Sequence, residues 1–196
     1  MVFEESNIHF SFSSSWMVHK YDEHPFYSSL SGSGFKAVDF IALHEYQNLY
    51  LWEIKNYNRP INKPFYNPWE VIQEAPHAFV EKLVSKVEHT IDALRLINLY
   101  YQRKWFYKRR VRLLDSTFFR FANWYFWLNA HRFSKFENKV IVVICISAEE
   151  ADERFRTWLE KELSKKLKAQ VGSVRVIDPK HNFMDIDIKP LGGLGV

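Results

Sequence analysis

The stretch GFKAVDFIALHEYQNLYLWEIKNYNRP, residues 34–60, contains two apolar runs separated by the polar segment HEYQN. Apolar runs of this length, separated by a few polar residues, are typical of a β-hairpin. Three charged residues interrupt the runs: Asp39 lies in the first, and Glu53 and Lys55 lie in the second. Strands that pack into a core rarely carry unpaired charges, so these three residues indicate a functional site as well as a structural role.

The register of the predicted hairpin brings the two acids together. If Leu43 faces Leu49, the same register places Asp39 directly opposite Glu53. Directly opposed side chains in an antiparallel pair have Cβ atoms about 4.5–5.5 Å apart. Two carboxylates at that spacing repel each other, so a positive group is expected between them. Lys55 lies two residues beyond Glu53 and therefore on the same face of the strand.

A divalent cation with oxygen ligands would satisfy such a pair of acids. Mg²⁺ is commonly held by one or two carboxylates together with waters and substrate phosphate oxygens. A bound metal can activate a water and stabilise charge at phosphorus, while Lys55 orients the water or the phosphate. The spacing therefore predicts a phosphodiester-hydrolysing site in which Asp39 and Glu53 bind Mg²⁺ or Mn²⁺.

A plain salt bridge on a solvated edge strand is the alternative interpretation of these charges. The same face of the predicted hairpin is mostly apolar, which favours a covered face over a solvated one. The apolar residues on that face are Ala37, Ile41, Leu43, Leu51 and Tyr57.

Length and composition limit the class of protein. The chain has 196 residues, 47% of them hydrophobic and 26% charged, which predicts one globular domain over residues 1–196. No apolar run approaches the roughly 18 residues of a spanning helix, and the N-terminus does not resemble a secretory signal, so no membrane association and a cytoplasmic location are expected. The single Cys145, in an apolar run, is expected to be a core residue.

The rest of the chain alternates strand and helix patterns, which predicts an α/β fold with a mixed central sheet, an antiparallel hairpin and flanking helices. Hydrophobic periodicity and helix-capping residues predict the remaining elements. These are a strand at 8–12, a short helix within 14–34, a helix from about Pro68 or Pro76 to about Tyr101, a helix within 116–133 with a strand at 123–130 as alternative, a strand at 139–147, and a helix followed by a strand within 148–189.

The run VDFIAL with Asp39, followed after thirteen positions by WEIKNY with Glu53 and Lys55, resembles the PD-(D/E)xK nuclease superfamily. The resemblance covers roughly residues 14–100. It implies a restriction-endonuclease-like core of helix, three-stranded meander, helix and strand, formed by about 14–100 plus 139–147. It also implies a Mg²⁺-dependent nuclease, with DNA as the expected substrate, in which Asp39, Glu53 and Lys55 are catalytic.

Two departures from the family pattern concern the residues around this motif. Val38 stands where the family often has proline. The additional acid that the family carries on its first helix has no single counterpart here, and Asp22 and Glu23 are the candidates for it.

The basic segment RKWFYKRRVR, residues 103–112, is the second feature that bears on function. It is free of acids in a chain of net charge +4, so its cations can contact a phosphate backbone while its aromatic residues stack on bases. The expected contact residues are Lys104, Lys108, Arg109, Arg110 and Arg112. This segment supports a rival function, that of a non-catalytic nucleic-acid-binding or assembly protein on the same fold. A protein-interaction domain is a third candidate function. A homodimer is compatible with each of these functions.

Overall fold

The computed structural model describes residues 1–58, 67, 69–103 and 123–191. Their elements are numbered here in chain order. The strands are β1 (Val2–Glu5), β2 (Ile8–Phe12), β3 (Trp16–Lys20), β4 (Phe40–His44), β5 (Asn48–Asn56), β6 (Val140–Ser147), β7 (Ser173–Ile177) and β8 (Ile186–Pro190). The helices are α1 (Pro25–Ser31), α2 (Glu70–Glu74), α3 (Pro76–Gln102), α4 (Asn123–Phe133) and α5 (Glu153–Leu167).

The larger of two sheets has five strands in the order β3-β4-β5-β6-β7. Strands β3, β4 and β5 are antiparallel neighbours, whereas β6 is parallel to β5 and β7 is parallel to β6. The β4–β5 pair is the predicted hairpin, and Leu43 faces Leu49 as expected. The prediction of a mixed α/β fold with an antiparallel hairpin is therefore confirmed.

Three helices, α3, α4 and α5, cover one face of the larger sheet. The predicted apolar stripe of α3 is buried against β4, β5 and β6, and α4 is a helix rather than the alternative strand. The stripe residues are Phe79, Leu83, Val87, Ile91 and Leu94. Among the described residues, no helix combines the length and apolar character needed to cross a membrane.

A second sheet, of order β1-β2-β8, covers the opposite face. Phe10 and Phe12 of β2 pack edge-on against Trp52 of β5, with ring centroids 6.2 and 6.0 Å apart. Cys145 of β6 is fully buried in this aromatic core, as predicted, and burial raises the pKa of its thiol. The predicted strand at 8–12 is confirmed as β2, and it lies in this second sheet because it pairs with β1 and β8.

The helix predicted within residues 14–34 is present only in the second part of that range, and the first part is a strand. Residues 16–20 form β3, in which Trp16 and Val18 are buried, and this strand pairs with β4. The helix α1 begins only at Pro25, where the His24 side chain accepts a hydrogen bond from the Phe26 N–H. The alternation of β3 is short, and its pairing partner lies more than twenty residues further along the chain. The strand β3 makes the hairpin part of a three-stranded meander.

Candidate functional site

Asp39 and Glu53 lie side by side on the helix-covered face of the larger sheet. The regular pairing of β4 and β5 ends at Phe40 and Trp52, and Asp39 lies one residue before β4, where its N–H donates to the Trp52 carbonyl at 2.9 Å. The Ile54 N–H donates to Asp39 Oδ2 at 2.6 Å, which fixes the orientation of the carboxylate. The predicted register is therefore confirmed as far as Phe40 and Trp52, and the direct opposition of the two acids stays a prediction.

Both acids are buried, which excludes the solvated salt bridge as their explanation. Asp39 is 6% exposed and Glu53 is 1% exposed. Glu53 lies on β5, which has β4 on one side and β6 on the other, so it is not on an edge strand. A buried pair of carboxylates needs a positive partner, because the charged forms lose their hydration.

Two lysines supply that positive charge. Lys86 of α3 places its Nζ 2.7 Å from Glu53 Oε1 and 3.8 Å from Asp39 Oδ1, so its ammonium lies within reach of both acids. Lys55 Nζ also contacts Glu53 Oε1, and it donates to the Ile54 carbonyl at 3.1 Å. Sequence reasoning found Lys55 and missed Lys86.

Thr90 holds α3 in place above the acids. Its Oγ1 donates to the Lys86 carbonyl at 2.7 Å and accepts from the Val38 N–H at 3.1 Å. Lys86 and Thr90 are four residues apart and therefore share one face of the helix. The sequence signal that was overlooked is a lysine and a threonine at this spacing beside an apolar stripe.

Burial dominates the electrostatics of the acids. It raises the pKa of Asp39 and of Glu53, and the neighbouring Asp39 charge raises the pKa of Glu53 further, although Lys55 and Lys86 oppose both shifts. Burial alone would lower the pKa of Lys55, but the Glu53 and Asp39 carboxylates outweigh it and raise the pKa. Lys55 is therefore a firmly protonated cation at neutral pH.

The structure separates the two candidates for the additional acid. Burial, followed by the Asp39 charge, raises the pKa of Asp22, which places Asp22 in the electrostatic environment of the site. Glu23 instead is mostly exposed and pairs with Lys20 at 2.6 Å. Asp22 is thus the acid coupled to Asp39, and Glu23 belongs to the surface.

Two carboxylate oxygens at the site are buried and lack a hydrogen-bond partner: Glu53 Oε2 and Asp22 Oδ1. Such oxygens fit a hard cation, which needs only one or two carboxylates when water and substrate complete its shell. Within the part of the chain that is described, no group of three or more His, Cys, Asp or Glu side chains is arranged as a complete metal site. The residues present therefore fit a cation held by two carboxylates, not one enclosed by protein.

A pocket of about 190 Å³ opens beside Glu53 and Lys55. The far wall is formed by α2 and α3, and Tyr57 lines the sheet side. Burial, followed by the Glu53 charge, raises the pKa of Tyr57 to about 12, so its hydroxyl remains a hydrogen-bond donor at neutral pH. The candidate site is thus open to a small ligand on the side of the lysines.

The predicted nucleic-acid contacts lie outside the described residues. These are Lys104, Lys108, Arg109, Arg110 and Arg112.

No protein-family model, no curated protein and no solved structure matches the chain.

Proposed function

We propose that this chain is a Mg²⁺- or Mn²⁺-dependent nuclease that hydrolyses phosphodiester bonds of nucleic acid, with DNA as the expected substrate. The observation that carries the proposal is the pair of buried carboxylates, Asp39 and Glu53, which both lie within reach of the Lys86 ammonium, with the Lys55 ammonium in contact with Glu53. Burial raises the pKa values of both acids, and their charged forms therefore destabilise the fold. Strongly perturbed pKa values of this kind cluster at functional sites.

The order of elements supports a restriction-endonuclease-like core for the proposed nuclease. The meander β3-β4-β5 is followed by α3 and then by β6, which joins β5 in parallel. This is the meander, helix and strand that the PD-(D/E)xK resemblance implies. The departure lies at the start, where the β1-β2 hairpin precedes the meander in place of a helix.

Asp39 and Glu53 are the residues that would hold the cation in the proposed enzyme. When bound, the cation would lower the pKa of a water and neutralise charge at phosphorus. The unpartnered Glu53 Oε2 favours this assignment, because Lys55 and Lys86 both contact the other oxygen, Oε1.

The lysines would act on the phosphate. Because the pKa of Lys55 is raised, Lys55 serves as a charged hydrogen-bond donor to a phosphate oxygen and not as the proton acceptor. Asp22, whose pKa is raised by burial and by the Asp39 charge, is the candidate for the auxiliary acid that the resemblance implies. Lys86 keeps the buried acids ionised and so positions them for the cation.

Calorimetry and cleavage assays test the proposal directly. Mn²⁺ should bind the wild type more tightly than Asp39→Ala or Glu53→Ala, and Glu23→Gln is the matched control, since that acid lies on the surface. Single- and double-stranded DNA and RNA should be incubated with Mg²⁺ or Mn²⁺, and any cutting should be lost in Lys55→Ala. Equal metal affinity in the wild type and both alanine variants would refute the site.

A second candidate function is that of a non-catalytic nucleic-acid-binding or assembly protein. The observation that favours it is the pairing of Glu53 Oε1 with two ammonium groups, which can neutralise the cluster without a metal. This candidate predicts salt-sensitive binding that survives Asp39→Ala and falls on charge reversal at Lys108, Arg109 and Arg110.

A further inference from the structure

The pocket beside the acids has two chemically different parts. We call it the Tyr57 pocket, after the aromatic residue on its sheet side. Its lining includes apolar residues, among them Tyr57 and Phe79, whose ring centroids are 6.0 Å apart, and Ile72 of α2. The lining also includes three lysines and Glu53. A ligand for such a pocket combines a flat or apolar group with an anion.

The size of the Tyr57 pocket limits the apolar group. Its cavity volume is about 190 Å³, many times the roughly 10–15 Å³ that one water molecule needs. This space is large enough for a single planar ring system. Nucleic acid presents a single ring only where a base is unpaired, and bases bind well on aromatic side chains because each has a π-face.

The charges of the pocket select the anion. Lys55, Lys82 and Lys86 carry three positive charges. Two negative charges face them, those of Glu53 and of Asp39, whose Oδ1 lies 3.8 Å from Lys86 Nζ, so one positive charge is left over. Lys82 lies one helical turn from Lys86 on α3 and is exposed, and it forms no ion pair within the described part of the chain. Compact ammonium groups on flexible stems bind phosphate oxygens as point charges. The rim of the pocket is therefore suited to a phosphate next to the acids.

We propose that the Tyr57 pocket binds the base of an unpaired nucleotide while Lys82 and Lys86 contact its phosphate. The proposal rests on the proposed nuclease function and narrows its substrate to single-stranded or unpaired nucleic acid. An intact duplex would have to release a base before its backbone reached the acids, which adds the cost of unstacking and unpairing.

Binding of small ligands tests the pocket without any cleavage. Thymidine 5′-monophosphate and deoxyribose 5-phosphate differ only by the base, and calorimetry can compare them on the wild type and on Ala78→Phe. Ala78 lines the pocket from an exposed position of α3, so a phenylalanine there fills the space without entering the core. Leu96→Phe is the matched control, because Leu96 is an exposed residue of the same helix that does not line the pocket.

The wild type should bind the nucleotide roughly 5- to 100-fold more tightly than the sugar phosphate, as expected for one base on an aromatic surface. Ala78→Phe should abolish this preference, and Leu96→Phe should retain it. Lys82→Gln should weaken both ligands by the same factor, since it removes a phosphate contact only. Equal affinity of the two ligands for the wild type, or a full preference in Ala78→Phe, would overturn the pocket assignment.

Cleavage separates the failure of this inference from the failure of the proposed function. Single-stranded DNA should be cut faster than a duplex of the same sequence in Mn²⁺. If the protein cuts the duplex faster, or if it cuts nucleic acid but shows no preference for the nucleotide in the binding assay, the pocket assignment is refuted and the nuclease function stands. If the protein prefers the nucleotide, loses that preference in Ala78→Phe and cuts no nucleic acid, the pocket assignment is supported and the nuclease function is refuted.

Discussion

Replacing Lys86 by methionine removes an ammonium that forms ion pairs with both buried acids, while it keeps most of the side chain's packing. The Lys86 Nζ lies 2.7 Å from Glu53 Oε1 and 3.8 Å from Asp39 Oδ1. At an effective dielectric constant of about 20, unit charges at 4 Å attract by roughly 4 kcal/mol. Dehydration of the charged groups offsets a large part of that attraction, so the net effect is much smaller.

The expected loss of unfolding free energy is about 1–2 kcal/mol at pH 8. Removing one partner of a fully buried pair costs about 3–5 kcal/mol. Lys86→Met should cost less for three reasons. The Lys86 side chain is 26% exposed, Lys55 still contacts Glu53, and Glu53 can take up a proton when its charged form becomes too unfavourable.

The cost should depend on pH, because Lys86 stabilises only ionised carboxylates. The pKa values of Glu53 and Asp39 in the folded protein are raised, so these acids take up protons above their ordinary range as the pH falls. The cost of Lys86→Met should therefore be full at pH 8 and should shrink as the pH is lowered toward 4.

Urea unfolding of wild type, Lys86→Met, Glu53→Gln and the double variant measures the coupling directly. Lys82→Met is the control, since Lys82 is an exposed lysine one turn away, and its effect should stay within about 0.5 kcal/mol. In the Glu53→Gln background most of the Lys86→Met cost should disappear. The same cost in both backgrounds, or the same cost at pH 8 and pH 4, would refute the assigned role of Lys86.

Three further changes have defined outcomes. The pKa of Glu53 is raised in the folded protein, so its charged form destabilises the fold at a pH above that pKa. Glu53→Gln should therefore raise the unfolding free energy by about 0.5–2 kcal/mol at pH 8. Urea titrations should show this gain vanish toward pH 4, below the ordinary pKa of a glutamate. Gly172→Ala would place a Cβ 2.8 Å from the Asn138 Cα, so the backbone must shift and calorimetry should show a loss of about 1–3 kcal/mol, whereas an unchanged melting temperature would contradict this close approach. Trp52→Leu opens space between the two sheets and should cost about 2–4 kcal/mol in urea unfolding; a loss below 1 kcal/mol would mean that the second sheet does not depend on this contact.

The hairpin and its acids were predictable because their geometry is local. Alternation along β4 and β5 and a short polar turn set the register, and this register brings Asp39 and Glu53 to the same end of the hairpin. The α3 stripe was predictable for the same reason, since a period of 3.6 residues appears within one continuous segment. Strand β3 was not predictable from its own five residues, because short alternation acquires meaning only when the pairing partner is known.

The sequence by itself determined that two carboxylates and Lys55 share one face of a hairpin. Only the tertiary structure decided that β5 lies inside the sheet and under α3, so that the acids are buried and not solvated. It also decided that the neighbouring cation is Lys86, 33 residues beyond Glu53 in the chain. The physical reason is that strand register follows from neighbouring residues, whereas burial and counter-charge depend on how distant elements pack, here fixed by the Thr90 contacts between α3 and the residue before Asp39.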